Sequence, residues 1–361
     1  MDAEFFTMHN KRKGMNLKMK KNGILQGAFS RLVLASLLLI SLSGCGRMSP
    51  SPQPTPEITV PATETPSSTP SHTPTPTPAP SQPPDKATSL LWEVTDGQNR
   101  IYLLGSIHAA MESLYPLNDT IMDAFAESDA LAVECDTTTL PQRPDVAEVM
   151  EPLFYTDGTT VSDHLPKELY DKTVETLTAY GADPTLYETT KPVMIASVIQ
   201  TFQLMEWGYS PDLGIDMYFI EKAGERALPI LELESVEFQF SLLGSFSDAI
   251  QALQIKSVVE DPELARLYLD DLYTAWQKSD TDTLEYILEH EFTGLSEEEE
   301  AAYAEYEKLM YTDRNNTMTQ KAEEYLKSGD TVFVVAGAAH MLGDTGIIKQ
   351  LSDNGYMVVQ K

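Results

Sequence analysis

The chain is short of basic side chains. Its 361 residues carry 25 Lys and Arg against 55 Asp and Glu, a formal charge of −30. Nucleic acid is gripped mainly by Lys and Arg neutralising its phosphates, so this balance argues against such a partner. Cysteine is scarcer still, with only Cys45 and Cys135, which excludes a disulfide framework and any Cys-rich zinc or iron–sulfur cluster. The apolar run Leu32 to Leu42 falls short of the about 20 residues that a hydrocarbon core demands, and extending it back to Ile24 would bury Arg31, so a permanent membrane span is the weaker reading. What is present is ordinary globular usage, 42% hydrophobic and 22% charged, enough apolar side chain for a real core.

Lys11, Arg12, Lys13, Lys18, Lys20 and Lys21 open the chain, the apolar run comes after Arg31, and the run ends in Leu42-Ser43-Gly44-Cys45. That order is that of a secretory signal, and its last four residues resemble a bacterial lipobox. The expectation is a signal peptide over 1–44, cleaved before Cys45, which then carries a lipid anchor at the membrane, facing outside the cytoplasm. Removing 1–44 takes away seven basic side chains and two acidic ones and moves the charge to −35. So acidic a chain is repelled by anionic headgroups, so the acyl chain and not a basic patch must hold it. From 45 to 87 the chain is rich in Pro, Thr and Ser, including Thr73-Pro74-Thr75-Pro76-Thr77-Pro78, with too little apolar surface to repay ordering. It reads as a disordered, extended tether.

From 88 to 361 the composition is that of one folded domain. Ile101–Leu104 and Ala130–Val133 read as strands around a helix near Asp119–Ser128. Thr331–Val335 and Tyr356–Val359 read as strands around a helix near Asp344–Ser352. Between these ends the chain is mostly helical, with i, i+3, i+4 apolar spacing in Val193–Trp207, Met217–Ala223, Phe238–Ile255 and Leu264–Trp276, and a short apolar stretch at Ala227–Leu231 that suits a strand. The predicted fold is α/β: two βαβ-type repeats forming a small, mostly parallel sheet, with a large helical insertion between them.

In each repeat the first strand runs into Gly-x-x-His: Gly105-Ser106-Ile107-His108 and Gly337-Ala338-Ala339-His340. Ligands of parallel sheets collect beyond the strands' carboxyl ends, where both histidines should emerge. Glu134, ending the strand after the first unit, should project into the same crevice; its counterpart in the second unit is Gln360. Two imidazoles and a carboxylate suit a divalent transition ion with open positions. The same trio can also work without metal, one histidine acting as general base and Glu134 orienting it. Arg314 fits an anion-binding role or a surface ion pair equally well. Cys135 should point away from Glu134 and be buried and inert, and His164 and His290, outside any repeated context, read as satisfied polar residues.

With Val133-Glu134, Gly214-Ile215-Asp216, Leu233-Glu234-Ser235-Val236-Glu237-Phe238-Gln239, Arg314-Asn315 and Gly337 to Gly346 added in this order, the chain resembles the TraB/GumN family over about Leu91 to Lys361. That family is related to the TIKI proteases, membrane-tethered and metal-dependent. The resemblance implies a catalytic crevice at His108, Glu134 and His340, assisted by Arg314 and by Glu234 or Gln239 in contact with substrate. It also implies an ion of the Mn²⁺ or Co²⁺ type and a peptide or secreted protein as substrate. Ser235 stands where the family usually has threonine, and Ala339 where glycine is more common. The expected activity is that of a membrane-anchored metal-dependent hydrolase, a peptidase. Its alternatives are a lipoprotein that binds a peptide signal without cleaving it, and a metal-free, esterase-like hydrolase.

Overall fold

The computed structural model describes residues 89–289 and 295–361. The leader, Cys45, the tether and His290 lie outside the described residues. Within them six strands form one sheet: β1 (Leu91–Thr95), β2 (Arg100–Ser106), β3 (Ala130–Val133), β4 (Ile230–Glu232), β5 (Val332–Gly337) and β6 (Met357–Gln360), in spatial order β4-β3-β5-β2-β1-β6. The four neighbours β4, β3, β5 and β2 are parallel, and β1 runs antiparallel between β2 and β6. The α/β class and the mostly parallel sheet are as the sequence predicts.

The arrangement of the two repeats differs from the expected pair of side-by-side units. Their strands interleave: β5 sits between β2 and β3, and β6 crosses to the outer edge of β1. The cause is apolar content. β5 is buried along its whole length and β2 at all but its first residue, as strands covered on both faces must be, so they take the middle of the sheet. The β6 strand exposes Met357 and Val359 and suits an edge. The central pairing sets Gly105 opposite Ala336 and Ser106 opposite Gly337, so the two Gly-x-x-His turns leave the sheet side by side.

Helices track the apolar spacing closely. Asp119–Ala126 begins where Asn118 Oδ1 accepts from Ile121 N–H at 3.0 Å, an N-cap that satisfies one of the free first-turn donors. The stretch Phe238–Ile255, which reads as one helix, is two, Val236–Gly244 and Asp248–Val259, because Ser247 caps a new start by accepting from Ile250 N–H. Pro192–Glu206, Ile215–Arg226 and Pro262–Gln277 match their apolar stretches, and β4 takes up the short apolar segment among them. Phe125, Phe219 and Phe333 pack ring to ring at 4.8 to 5.4 Å between centroids, joining two helices to β5. The helix Asp313–Ser328 lies against β2 and β5 and is itself covered by Ile347–Asp353. No helix among the described residues is long and apolar enough to cross a membrane.

Candidate active site

His108 and His340 stand just beyond the carboxyl ends of β2 and β5, and Glu134 comes directly after β3. Because β5 lies between β2 and β3, all three side chains reach one place. His108 Nε2 is 3.9 Å from Glu134 Oε1, and His340 Nε2 is 3.8 Å from Glu134 Oε2. Gly337 makes this approach possible. A Cβ there would lie 3.3 Å from His108 Nε2, 3.4 Å from Glu134 Oε1 and 3.6 Å from His340 Cδ2, so glycine leaves open the space that the three groups share. Its N–H also donates to Glu134 Oε1 at 2.8 Å.

Each imidazole is held from its far side. His108 Nδ1 is 2.8 Å from Asp216 Oδ2, and Ser106 Oγ donates to the other oxygen of that carboxylate at 2.9 Å. Asp216 gets there because Gly214 packs its backbone on His108: a Cβ at 214 would be 2.5 Å from the His108 carbonyl oxygen, and Ile215 N–H donates to Ile107 O at 3.0 Å. His340 Nδ1 is 2.6 Å from Asn315 Oδ1, while Asn315 Nδ2 donates to Thr345 O at 2.9 Å. That amide orientation assigns the hydrogen to His340 Nδ1. Both rings therefore turn Nε2 toward Glu134, with Nδ1 anchored in the manner of metal-ligating histidines.

Arg314 is buried, which decides between its two sequence readings: it is an interior cation and no surface ion pair. Its Nη2 donates to Glu134 Oε2 and to Glu234 Oε2, both at 2.7 Å, its Nε bonds Glu234 at 3.0 Å, and its Nη1 donates to His340 Nε2 at 3.2 Å. A π-helical turn, Lys308–Thr312, immediately precedes the helix that carries it; the extra residue in such a turn re-aims the side chains after it, and these turns gather at functional sites. Glu234 and Gln239, expected at the substrate, stand behind the arginine, where Gln239 Nε2 donates to Glu234 Oε2 at 3.1 Å and Cys135 Sγ donates to Gln239 Oε1 at 3.0 Å. Cys135 is half-buried, short of the full burial expected of it, and desolvation still pushes its thiol well above its usual range.

Burial pushes the Glu134 carboxyl up, but His340, Arg314, His108 and the Gly337 N–H together outweigh it and hold it at about 2. Burial pulls His108 down, yet the carboxylates of Asp216 and Glu134 raise it to about 9. Among Glu134, Glu234, Asp216 and Arg314 there are three carboxylates to one permanent cation, and His108, protonated at neutral pH, supplies a second positive charge. His164, as expected, is satisfied elsewhere: it bonds Asp248 and Thr159 and stacks on Tyr155. Gln360, the counterpart of Glu134, donates to Ser89 O on the edge of the sheet.

Two imidazole nitrogens, with His108 giving up its proton on binding, and a carboxylate are a donor set that suits a divalent transition ion. Ligands each about 2.1 Å from an ion lie at most about 4.2 Å apart, so each His–Glu distance taken singly is within that reach. By donor chemistry and Nδ1 anchoring the residues fit such an ion. As they stand, no group of three His, Cys, Asp or Glu among the described residues closes to ion-holding distance, and Arg314 Nη1 takes up the His340 lone pair.

Asp216 and Asn315 were visible in the motif order without a role. Nothing local reveals one: Asp216 lies 108 residues from the histidine it orients. Trp276 is a further residue that sequence reasoning missed. Its Nε1 donates to Gly105 O at 2.7 Å, tying the helix Pro262–Gln277 to the first Gly-x-x-His turn.

Fold and site together define an α/β domain whose two central parallel strands each deliver a histidine to one buried glutamate. Comparison with known proteins agrees, and the chain belongs to the TraB/PrgY/gumN family, whose model matches residues 90–360. It is similar to the protein named uncharacterized protein YbaP in Escherichia coli (strain K12) and in Shigella flexneri. Each is 25% identical over 262 residues, covering 71% of this chain and 89% of the relative. No solved structure matches the chain.

Proposed function

We propose that the domain is a hydrolase acting on peptides outside the cytoplasm, anchored through a lipid on Cys45, with the junction of His108, Glu134 and His340 as its reacting centre and a divalent ion as cofactor. The observation that carries this reading is the convergence of two Nδ1-anchored imidazoles on one carboxylate, beside a glycine whose missing Cβ leaves room between them. His108, Glu134 and His340 would hold the ion; when bound, it would supply Lewis acidity to a carbonyl and acidify a neighbouring water. The peptide class and the anchor rest on the likeness to the TIKI proteases and on the leader and tether of the sequence.

The chain's own residues have separable tasks. Asp216 fixes the rotation and tautomer of His108, whose side chain is 13% exposed against 4% for His340, so substrate approaches from the His108 side. Arg314 lines the cavity, and its N–H groups are taken up by Glu134, Glu234, His340 and the Met310 carbonyl, so its task is to neutralise and position the two buried carboxylates. Glu234 holds that guanidinium in place, which removes the cost of ordering it at the moment of reaction. Glu134, ionised and gripped by Gly337 and Arg314, keeps the centre anionic.

One observation favours a metal-free variant of the same hydrolase. Asp216 and His108, 2.8 Å apart, already form an orienter and a proton-transfer group that acts as base once His108 has lost its proton. Chelation separates the two. Incubating the purified protein with a defined peptide mixture and reading products by mass spectrometry should show new termini that vanish after chelation and return with Mn²⁺ or Co²⁺. Cleavage that survives chelation selects the metal-free variant, and intact peptides under every ion contradict the hydrolase.

A further inference from the structure

The cavity at the site has a lining of two kinds. Its polar part is His108, Arg314 and His340; its apolar wall is Leu272, Leu284, Leu288, Met310 and Tyr311. These come from Pro262–Gln277, Thr281–Glu289 and the π-helical turn, and all are buried. The four aliphatic and thioether side chains have no strong polar atom to offer. The cavity measures about 30 Å³, and a water needs about 10 to 15 Å³ of such space, so about two or three water-sized groups fit. Because Trp276 ties Pro262–Gln277 to Gly105, this wall and the histidine turn keep a fixed separation.

We propose that the apolar part of this cavity is a recess for one alanine-sized side chain of the substrate, that of a residue flanking the scissile carbonyl. The inference rests on the hydrolase reading above and adds a substrate class to it. With an attacking water in place, a cavity of this size has room for little more than a methyl group. A charged side chain entering there meets no partner, since Arg314 is already paired with Glu134 and Glu234, and a buried unpaired charge is strongly disfavoured. A larger aliphatic group collides with walls that are themselves packed in the core. Since one methylene in an apolar pocket changes specificity by about 10-fold to 200-fold, alanine should exceed leucine at that position by at least about tenfold.

The test uses the full chain and acetylated, amidated hexapeptides that differ at one position, Gly, Ala, Val, Leu, Phe, Asp or Lys, scanned on both sides of the cleaved bond. Initial rates come from mass spectrometry. Alanine should lead on one side of the bond, and Leu284→Ala should bring the leucine peptide up at least about tenfold relative to the alanine peptide. Should Leu284→Ala fail to fold, Leu288→Val carries the same prediction with a smaller shift, folding being checked by a melting curve. In parallel, methyl-labelled leucine spectra of the wild type should show Leu284 and Leu288 shifting with N-acetyl-alanine methylamide and not with its aspartate counterpart. Cleavage indifferent to the varied residue, best with a charged or large one, or unshifted in a folded variant overturns the recess and leaves the hydrolase standing. A wild type that cleaves no peptide overturns the hydrolase and the recess with it.

Discussion

The two Gly-x-x-His turns leave adjacent strands in register, yet their histidines enter unlike surroundings. His108 is partnered by a carboxylate and reaches solvent, whereas His340 is partnered by an amide, sealed in the interior and bonded by Arg314. A repeated tetrapeptide therefore fixes where an imidazole emerges and leaves its charge and reach to residues far away in sequence. The outer histidine suits the moving proton and the substrate; the inner one suits a fixed donor.

The largest expected effect falls on the inner half. Arg314→Ala leaves Glu134 and Glu234 buried without their cation and should cost about 3 to 5 kcal/mol by urea unfolding. Adding Glu234→Gln should recover part of that loss, since one of the two stranded charges is then gone. If the single variant is as stable as wild type, Arg314 is no interior counter-ion and the comparison of the halves fails.

A smaller effect separates the two orienting residues. Asp216→Ala and Asn315→Ala should each weaken ion binding by about 10-fold to 100-fold. Only Asp216→Ala should also displace the pH profile of peptide cleavage, because only that partner is charged. Identical pH profiles in the two variants would erase the division of labour proposed for the histidines.

A further effect is in pH dependence, where the ion-free protein should show two limbs of opposite sign. Glu134 is held at about 2, below its ordinary 4.5. Its contribution to stability is therefore complete above about pH 4.5 and is lost as pH falls toward 2. His108 is raised from 6.5 to about 9, so its contribution is complete below about pH 6.5 and is lost as pH rises through 9. Unfolding midpoints across pH should show Glu134→Gln flattening the acid limb and His108→Gln the alkaline one, each leaving the other limb in place.

Much of the fold and site was legible in the sequence, for identifiable reasons. The strands at Ile101–Leu104 and Val332–Val335 announce themselves as continuous apolar runs, and the repeated Gly-x-x-His marks His108 and His340 as a pair. Their meeting at Glu134 needs β5 to insert between β2 and β3, a pairing across some two hundred residues that no local pattern encodes. The break at Ser245–Ser247 escaped because apolar periodicity continues through it while the cap interrupts the backbone. Arg314 remained ambiguous because burial cannot be read from a lone arginine on an otherwise polar helix. Asp216 and Asn315 were hidden for a related reason: a tautomer is set by the atom a folded chain brings within hydrogen-bond distance, and neither residue lies near its histidine in sequence.

The most direct test of the central claim is elemental analysis of the purified, folded protein after incubation with Mn²⁺, Co²⁺ or Zn²⁺ and removal of free ion. The account predicts about one divalent ion per chain in the wild type and none in folded His108→Ala or His340→Ala. A folded wild type that retains no ion, or histidine variants that retain it undiminished, would contradict it.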